Sequence, residues 1–220
     1  MCNLERHRVG PAELRQWFAI DPDLDYSGNL EPMDTYPRRS KPIIRQSADG
    51  RREMVMMNWG FPYYRPEKKK DGSDYAPKPT TNIRNPHYPM WRPWTENLPN
   101  RCLVPSTAFA EPNPLAKKTG EPQNIWFGLN EPSEGLFAFA RLWRSWEGDW
   151  DKQRSAETSE VYAFLTCSPN DLVGPIHPKS MPVILRPEDY ETWLTAPWAE
   201  AKALQRPYPP AEMAILPAED

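Results

Sequence analysis

The sequence predicts an α+β domain built on a mainly antiparallel, curved or barrel-like sheet with a few short peripheral helices. Three observations predict it. Apolar runs of strand length recur along the chain, only a few segments carry a helical apolar face, and the two kinds do not alternate in the βαβ order of a parallel sheet. Proline content sharpens the expectation. The chain holds 28 prolines against 10 glycines, and proline at that density breaks helices and strand ladders, so short elements joined by long, stiffened connections follow.

Met1 to Arg8 reads as a short strand. Pro11 then stands at a helix N1 position, with Leu14, Trp17 and Phe18 on one apolar face. Asp21 to Pro42 is polar, contains four prolines and lacks a period, which predicts a long ordered loop or a partner-facing segment. Ile43 to Arg45 and Met54 to Asn58 flank Asp49-Gly50, a hairpin signal. Phe61 to Thr81 is again loop-like, and Trp91 and Trp94 sit in a short helix broken by Pro93.

Arg101 to Val104 and Ala108 to Glu111 read as strand pieces, and Ile125 to Leu129 with Leu136 to Leu142 as a hairpin across 131–135. Val161 to Cys167 is almost continuously apolar, the pattern of a buried strand. Ser168-Pro169 supplies an N-cap and N1 pair for a short helix through Val173. Met181 to Leu185 returns as a strand, Pro187-Glu188-Asp189 opens a helix through Trp193-Leu194, and Ala199 to Leu204 forms another.

At 220 residues, with 39% apolar residues and ten tryptophans, the chain is expected to bury one core in a single domain, 1–220. A formal net charge of −3 gives no global attraction to nucleic acid. Basic residues cluster only locally, at Arg38, Arg39 and Lys41, at Arg51 and Arg52, at Lys68 to Lys70, and at Lys117 and Lys118; each group alone is more often a solvated face. Cys2, Cys102 and Cys167 lack the spacing of a disulfide framework, and with His7, His87 and His177 they show no metal-ligand pattern, so neither metal nor cofactor is expected. With no apolar leader and no run of about 18 apolar residues, the expectation is a cytoplasmic, reduced, monomeric protein without membrane contact.

Cys2 carries the chemistry that sets this chain apart. If Met1 is removed, Cys2 presents a thiol and a free α-amine on adjacent carbons, and such a 1,2-aminothiol captures an aldehyde as a closed thiazolidine. Thiol and amine have ordinary pKa values of about 8.5 and 7.7–8.0, so a minority of each is nucleophilic at neutral pH. By itself, position 2 is more simply a small residue that favours methionine removal. Cys102 and Cys167 lie in apolar strands and read as small core residues.

Four segments shift that balance: Met1-Cys2-Asn3; Asn82-Ile83-Arg84; Arg101 to Pro105 leading to Phe109-Ala110-Glu111-Pro112; and Ile176-His177-Pro178-Lys179-Ser180 running on to Leu185. In this order and spacing, with Trp59-Gly60 and Thr166, the chain resembles the SRAP family, the SOS response-associated peptidases or abasic-site processing proteins, over nearly its whole length. The resemblance implies the SRAP fold and a protein that joins itself to abasic sites in single-stranded DNA through Cys2. It further implies Cys2, Asn82, Glu111 and His177 as the catalytic group. Arg84 would hold the DNA backbone, and Pro37, Tyr63, Tyr64, Thr166 and Lys179 complete a DNA-facing set.

The residue types suit that chemistry. A ring-opened abasic sugar offers an aldehyde that an amine attacks to give a Schiff base. A partly buried carboxyl at Glu111 and an imidazole at His177 are suited to moving the protons involved. Asn82 hydrogen-bonds without changing charge, and Arg84 offers a planar fork for phosphate oxygens. Several positions depart from the family pattern. Asn3-Leu4 replaces Gly-Arg, which removes a phosphate contact for which Arg6 or His7 is the expected substitute. Pro112 stands where an aromatic is usual, Lys179 lies near the place of an arginine, and Tyr63 and Tyr64 stand in for tandem tryptophans that stack on DNA. Two other readings stay open: a cysteine-type (auto)peptidase using Cys2 and His177, and a noncatalytic single-stranded DNA binder.

Overall fold

Five strands close into a ring at the centre of the computed structural model, which describes residues 3–63, 67–97, 100–120, 123–130, 135–149 and 157–217, with the backbone alone at positions 63, 117, 119 and 157. In chain order the elements are β1 (Glu5–His7), α1 (Pro11–Phe18), β2 (Met33–Thr35), β3 (Ser40–Gln46), β4 (Arg52–Trp59), β5 (Phe61–Tyr63), β6 (Lys78–Thr80) and β7 (Asn82–Ile83). They continue with α2 (Arg92–Thr95), β8 (Arg101–Ser106), β9 (Ala108–Pro112), α3 (Ala116–Thr119), β10 (Asn124–Leu129), β11 (Phe137–Gly148) and β12 (Glu157–Cys167). The last are β13 (Met181–Pro182), β14 (Ile184–Leu185), α4 (Tyr190–Thr195), α5 (Trp198–Ala201) and β15 (Met213–Leu216).

The ring runs β12-β4-β3-β8-β11 and returns to β12. Every neighbouring pair is antiparallel except β12 with β4, which run parallel at Val161 opposite Asn58 and Tyr162 opposite Trp59. Closure removes exposed strand edges, as a barrel does. An antiparallel sheet in the order β15-β10-β9-β1-β2 forms the second layer, β5 and β6 make a two-stranded ribbon, and β7 runs parallel to β12. The predicted mainly antiparallel, barrel-like sheet with short helices is therefore the observed fold.

The chain passes from barrel to second sheet at Thr107. There Ser106 Oγ donates to the Arg6 carbonyl at 2.8 Å, and the Thr107 amide donates to that same oxygen at 2.8 Å. Both faces of the central strands are apolar because one faces the barrel interior and the other the second layer or a helix. Trp59, Phe139 and Phe164 pack inside, with ring centroids 4.6 Å apart for Trp59 and Phe164 and 5.0 Å for Phe139 and Phe164. Helices close the outside: Phe18 of α1 stacks on Tyr190 of α4 at 5.3 Å, and Trp193 Nε1 donates to the Cys102 carbonyl at 2.9 Å. Cys102 and Cys167 are buried free thiols, as read from the sequence, and burial pushes Cys167 up to about 12.

Several sequence expectations are corrected. Asp21 to Pro42 is not all loop, since β2 pairs with β1 and β3 begins at Ser40; three-residue β2, set between Pro32 and Pro37, is too short to leave a period. Phe61 to Thr81 contains β5 and β6, hidden because Pro62 faces Pro79 in a ribbon whose edges tolerate proline. Pro93 does not break α2 but stands in its first turn. The hairpin across 131–135 does not form, since β10 pairs with β9 and β15 while β11 pairs with β8, β12 and β14. No helix follows Ser168-Pro169; Asn170 instead caps a series of turns, its Oδ1 accepting from the Leu172 and Val173 amides at 3.2 and 2.9 Å. Lys41 is no part of a basic surface: it is fully buried, its Nζ 3.3 Å from Glu5 Oε2.

Candidate functional site

The second sheet and the barrel converge where β1 begins. Register in the β1–β9 pair sets Glu5 opposite Phe109 and Arg6 opposite Ala108, and the Ala110 amide donates to the Leu4 carbonyl at 2.9 Å. Continued by two steps beyond Glu5 and Phe109, that register places Asn3 opposite Glu111. Asn3 Oδ1 accepts from Thr81 Oγ1 at 3.2 Å, and Thr81 Oγ1 accepts from Asn82 Nδ2 at 2.8 Å. The start of β1, the end of β9 and the start of β7 are thus tied at one point.

His177 reaches the same carboxylate from the connection between β12 and β13. The turns opened by Asn170 carry the chain back, with the Gly174 amide on the Asn170 carbonyl at 2.8 Å and the His177 amide on the Val173 carbonyl at 2.9 Å. β13 then pairs with β12 through Thr166 opposite Pro182 and Cys167 opposite Met181. His177 Nδ1 lies 2.7 Å from the Ser180 carbonyl and 4.0 Å from Glu111 Oε1. A carbonyl only accepts, so Nδ1 carries the proton and Nε2 keeps the lone pair in the neutral ring. Burial of Glu111, whose side chain is fully enclosed, pushes its carboxyl above the usual range.

Of the expected catalytic set, Glu111 and His177 are in contact, and Asn82 joins the same corner through Thr81 and Asn3. Cys2 lies outside the described residues. Arg84 is exposed just after β7, with its Nη2 donating to Ser168 Oγ at 3.0 Å. Its carbonyl accepts from Gln205 Nε2 at 2.9 Å, and the same amide reaches the Thr166 carbonyl at 2.8 Å. Thr166 is buried with its hydroxyl toward the Ile83 carbonyl, so it holds β7 against β12 rather than facing solvent. Lys179 is exposed in the turn beside His177, and Pro37 is half-buried between β2 and β3. Tyr64 lies outside the described residues, and of Tyr63 only the backbone is described, in β5 opposite Lys78.

Neither expected substitute for the missing arginine faces solvent. Arg6 is bidentate to Asp34 at 2.9 and 3.1 Å with its guanidinium 3.8 Å over the Trp126 ring, and His7 is fully buried against the Val9 carbonyl at 2.5 Å. Among the other basic groups, Arg51 pairs with Asp21, Asp23 and Asp49, and Lys68 with Asp74, which leaves them as solvated ion pairs. Sequence reading missed Asn3, Thr81, Ser180 and Gln205 as positioning groups. Asn3 and Thr81 adjoin named residues, but Gln205 gives no signal because its role is created by the chain's return past β7.

Among the described residues no group of His, Cys, Asp and Glu is arranged to hold a metal ion, and no helix is long and apolar enough to cross a membrane. Residues 1–220 match the family described as SOS response associated peptidase (SRAP). No curated protein matches the chain significantly. Among solved structures, a protein from Bordetella bronchiseptica is similar in fold, with a TM-score of 0.68, 23% identity and 97% of each chain covered. One from Bacteroides thetaiotaomicron has a TM-score of 0.66 at 22% identity, covering 97% of this chain and 90% of its own. A phage-related protein from Bordetella bronchiseptica has a TM-score of 0.64 at 18% identity, covering 100% of this chain and 95% of its own.

Proposed function

Since the chain belongs to the SOS response associated peptidase (SRAP) family, we propose that, once Met1 is removed, it captures abasic sites in single-stranded DNA as a covalent thiazolidine on Cys2. The observation that carries this reading is the buried Glu111 carboxyl 4.0 Å from the His177 imidazole, at the strand end where β1 begins. A carboxyl whose proton affinity is raised by burial, set beside an imidazole, supplies the proton donor and acceptor that the capture needs.

The steps balance as follows. The Cys2 amine lone pair attacks the aldehyde carbon of the ring-opened sugar, and a proton passes from nitrogen to oxygen to give a carbinolamine. Glu111 protonates the departing hydroxyl, water leaves, and a Schiff base remains. The Cys2 sulfur then adds to the imine carbon, and the thiol proton ends on nitrogen; one water is lost and nothing is oxidised or reduced. His177, with Nδ1 bound to Ser180, offers Nε2 as a base toward the amine and the sugar oxygens. Asn82 orients the amine or the sugar without charge, and Arg84 receives a flanking phosphate.

The test is direct. Met1-processed protein, its mass confirmed, is incubated with a single strand holding one abasic site and run under denaturing conditions. A slow-migrating adduct is expected from wild type and not from Cys2→Ala; equal yields from both overturn the reading.

The same imidazole geometry supports a second reading, in which Nε2 activates the Cys2 thiol for cleavage of the Met1 bond in an autopeptidase. Retention of Met1 in purified His177→Ala, against its loss in wild type expressed in a host lacking methionine aminopeptidase activity, would favour this role. It is compatible with later DNA capture.

A further inference from the structure

A cavity of about 250 Å³ opens between the β5–β6 ribbon, α2 and the outer half of β11. Its walls are aromatic. Phe61 meets Trp91 and Trp94 with ring centroids 5.7 Å away in each case, and Trp146 and Met90 extend the apolar lining. Into this apolar surround projects Arg144, whose guanidinium carbon lies 4.5 Å from the Trp146 ring, 4.7 Å from Trp94 and 5.1 Å from Phe61. Arg144 Nη2 donates to the Pro62 carbonyl at 2.8 Å, while its Nε is buried with no acceptor among the described residues. Burial pulls this guanidinium down to about 10, so it stays charged at neutral pH.

The cavity falls below the roughly 300 Å³ from which drug-sized ligand pockets start, so it is sized for one ring system rather than an extended molecule. Rings on several sides favour a flat π-surface, and a guanidinium in the wall favours a ligand with a carbonyl or ring-nitrogen acceptor. Thr80 also lines the cavity, and Asn82 lies two residues on, no more than about 7 Å along the backbone. From these observations, and resting on the DNA-capture reading above, we infer that this cavity is a subsite for one unpaired nucleobase of the captured strand, stacked against Trp146 or Trp94 and hydrogen-bonded by Arg144. The chain would then recognise an abasic position by gripping a neighbouring base that is present.

Single strands carrying one abasic site test this, with every other position a baseless spacer except one base moved stepwise along the strand. In wild type a base at one register should lower the half-saturating DNA concentration for crosslinking about tenfold, the scale of one base–aromatic stack. Met90→Trp fills the mouth of the cavity from an exposed position, and Trp146→Ala removes one wall; both should abolish that base dependence while still crosslinking base-free strands. Crosslinking that ignores base position, or variants that retain the dependence, would overturn the subsite. Anisotropy of the same labelled strands on Cys2→Ala protein reads the base-dependent affinity without any adduct. A subsite that binds there while no strand crosslinks would sink the capture reading alone, and equal anisotropy affinities for base-free and base-bearing strands would sink the subsite alone.

Discussion

Glu5 and Arg141 meet in the interior, Oε2 to Nη2 at 2.9 Å, with both side chains wholly excluded from solvent. Lys41 adds a second cation 3.3 Å from the same oxygen. The strand that starts at the candidate site is thereby fixed to β3 and β11 by charge, while its backbone ladders join it to β2 and β9. Glu5→Gln removes the negative charge that both buried cations face and should cost about 3–5 kcal/mol. Replacing all three residues by apolar ones of similar volume should be near neutral or stabilising, because the desolvation of three charges goes with them. Urea denaturation of the single and triple variants checks both; equal losses would mean the cluster is not coupled.

Acid should unfold the protein through His7. Burial first, then Lys41 and Arg8, hold its pKa down to about 3, so folding keeps the ring neutral. An unfolded histidine titrates near 6.5, so below that pH the unfolded chain binds a proton that the folded chain refuses. Stability is full above about 6.5 and is lost as pH falls toward 3, by on the order of 3 kcal/mol at pH 4. His7→Gln keeps a donor for the Val9 carbonyl without the titration. Thermal midpoints measured from pH 7 to 4 should fall more steeply for wild type than for this variant, and parallel curves would remove His7 from the acid limb.

What could be read in advance divides by range. Apolar runs such as Val161 to Cys167 announce themselves, because a strand buried on both faces needs no partner to be recognised. Partners are another matter: β10 and β11 read as a hairpin, yet they belong to different layers, since alternation reports a strand but not which strand lies beside it. Glu111 and His177 were legible only as members of an ordered family set, as their 66-residue separation carries no spacing signal. Glu5, Lys41 and Arg141 were illegible as a cluster, because burying charge is sensible only once the three are seen to pair. The aromatic cavity was hidden likewise, its walls coming from β5, α2 and β11.

Gly60 should be intolerant of substitution. Its φ of 132° lies where side chains are strained, and a Cβ there would stand 2.7 Å from the Pro79 Cβ. Gly60→Ala must therefore push β6 from β5, and β6 runs directly into Thr81 and Asn82. A loss of about 1–3 kcal/mol in stability is expected, together with slower adduct formation. If adduct rates are unchanged while stability falls, the ribbon does not position Asn82.

Glu111→Gln should separate stability from function. Folding raises the Glu111 pKa through burial, so between the unfolded value of about 4.3 and the higher folded value the folded chain holds a proton that the unfolded chain has released. Stability at this position therefore falls as pH rises through that window, and the cost of enclosing the carboxylate persists above it. A neutral amide of the same size escapes this cost, so the variant should gain on wild type in thermal midpoint as pH rises from 4 to 8. The same change removes the proton donor for loss of water from the carbinolamine, and adduct formation should slow by about 10²–10⁴-fold, the range of general acid–base assistance. A variant that is no more stable at pH 8 than at pH 4 relative to wild type would contradict the burial argument. One that reacts at the wild-type rate would remove Glu111 from the chemistry and shift the proton transfers onto His177.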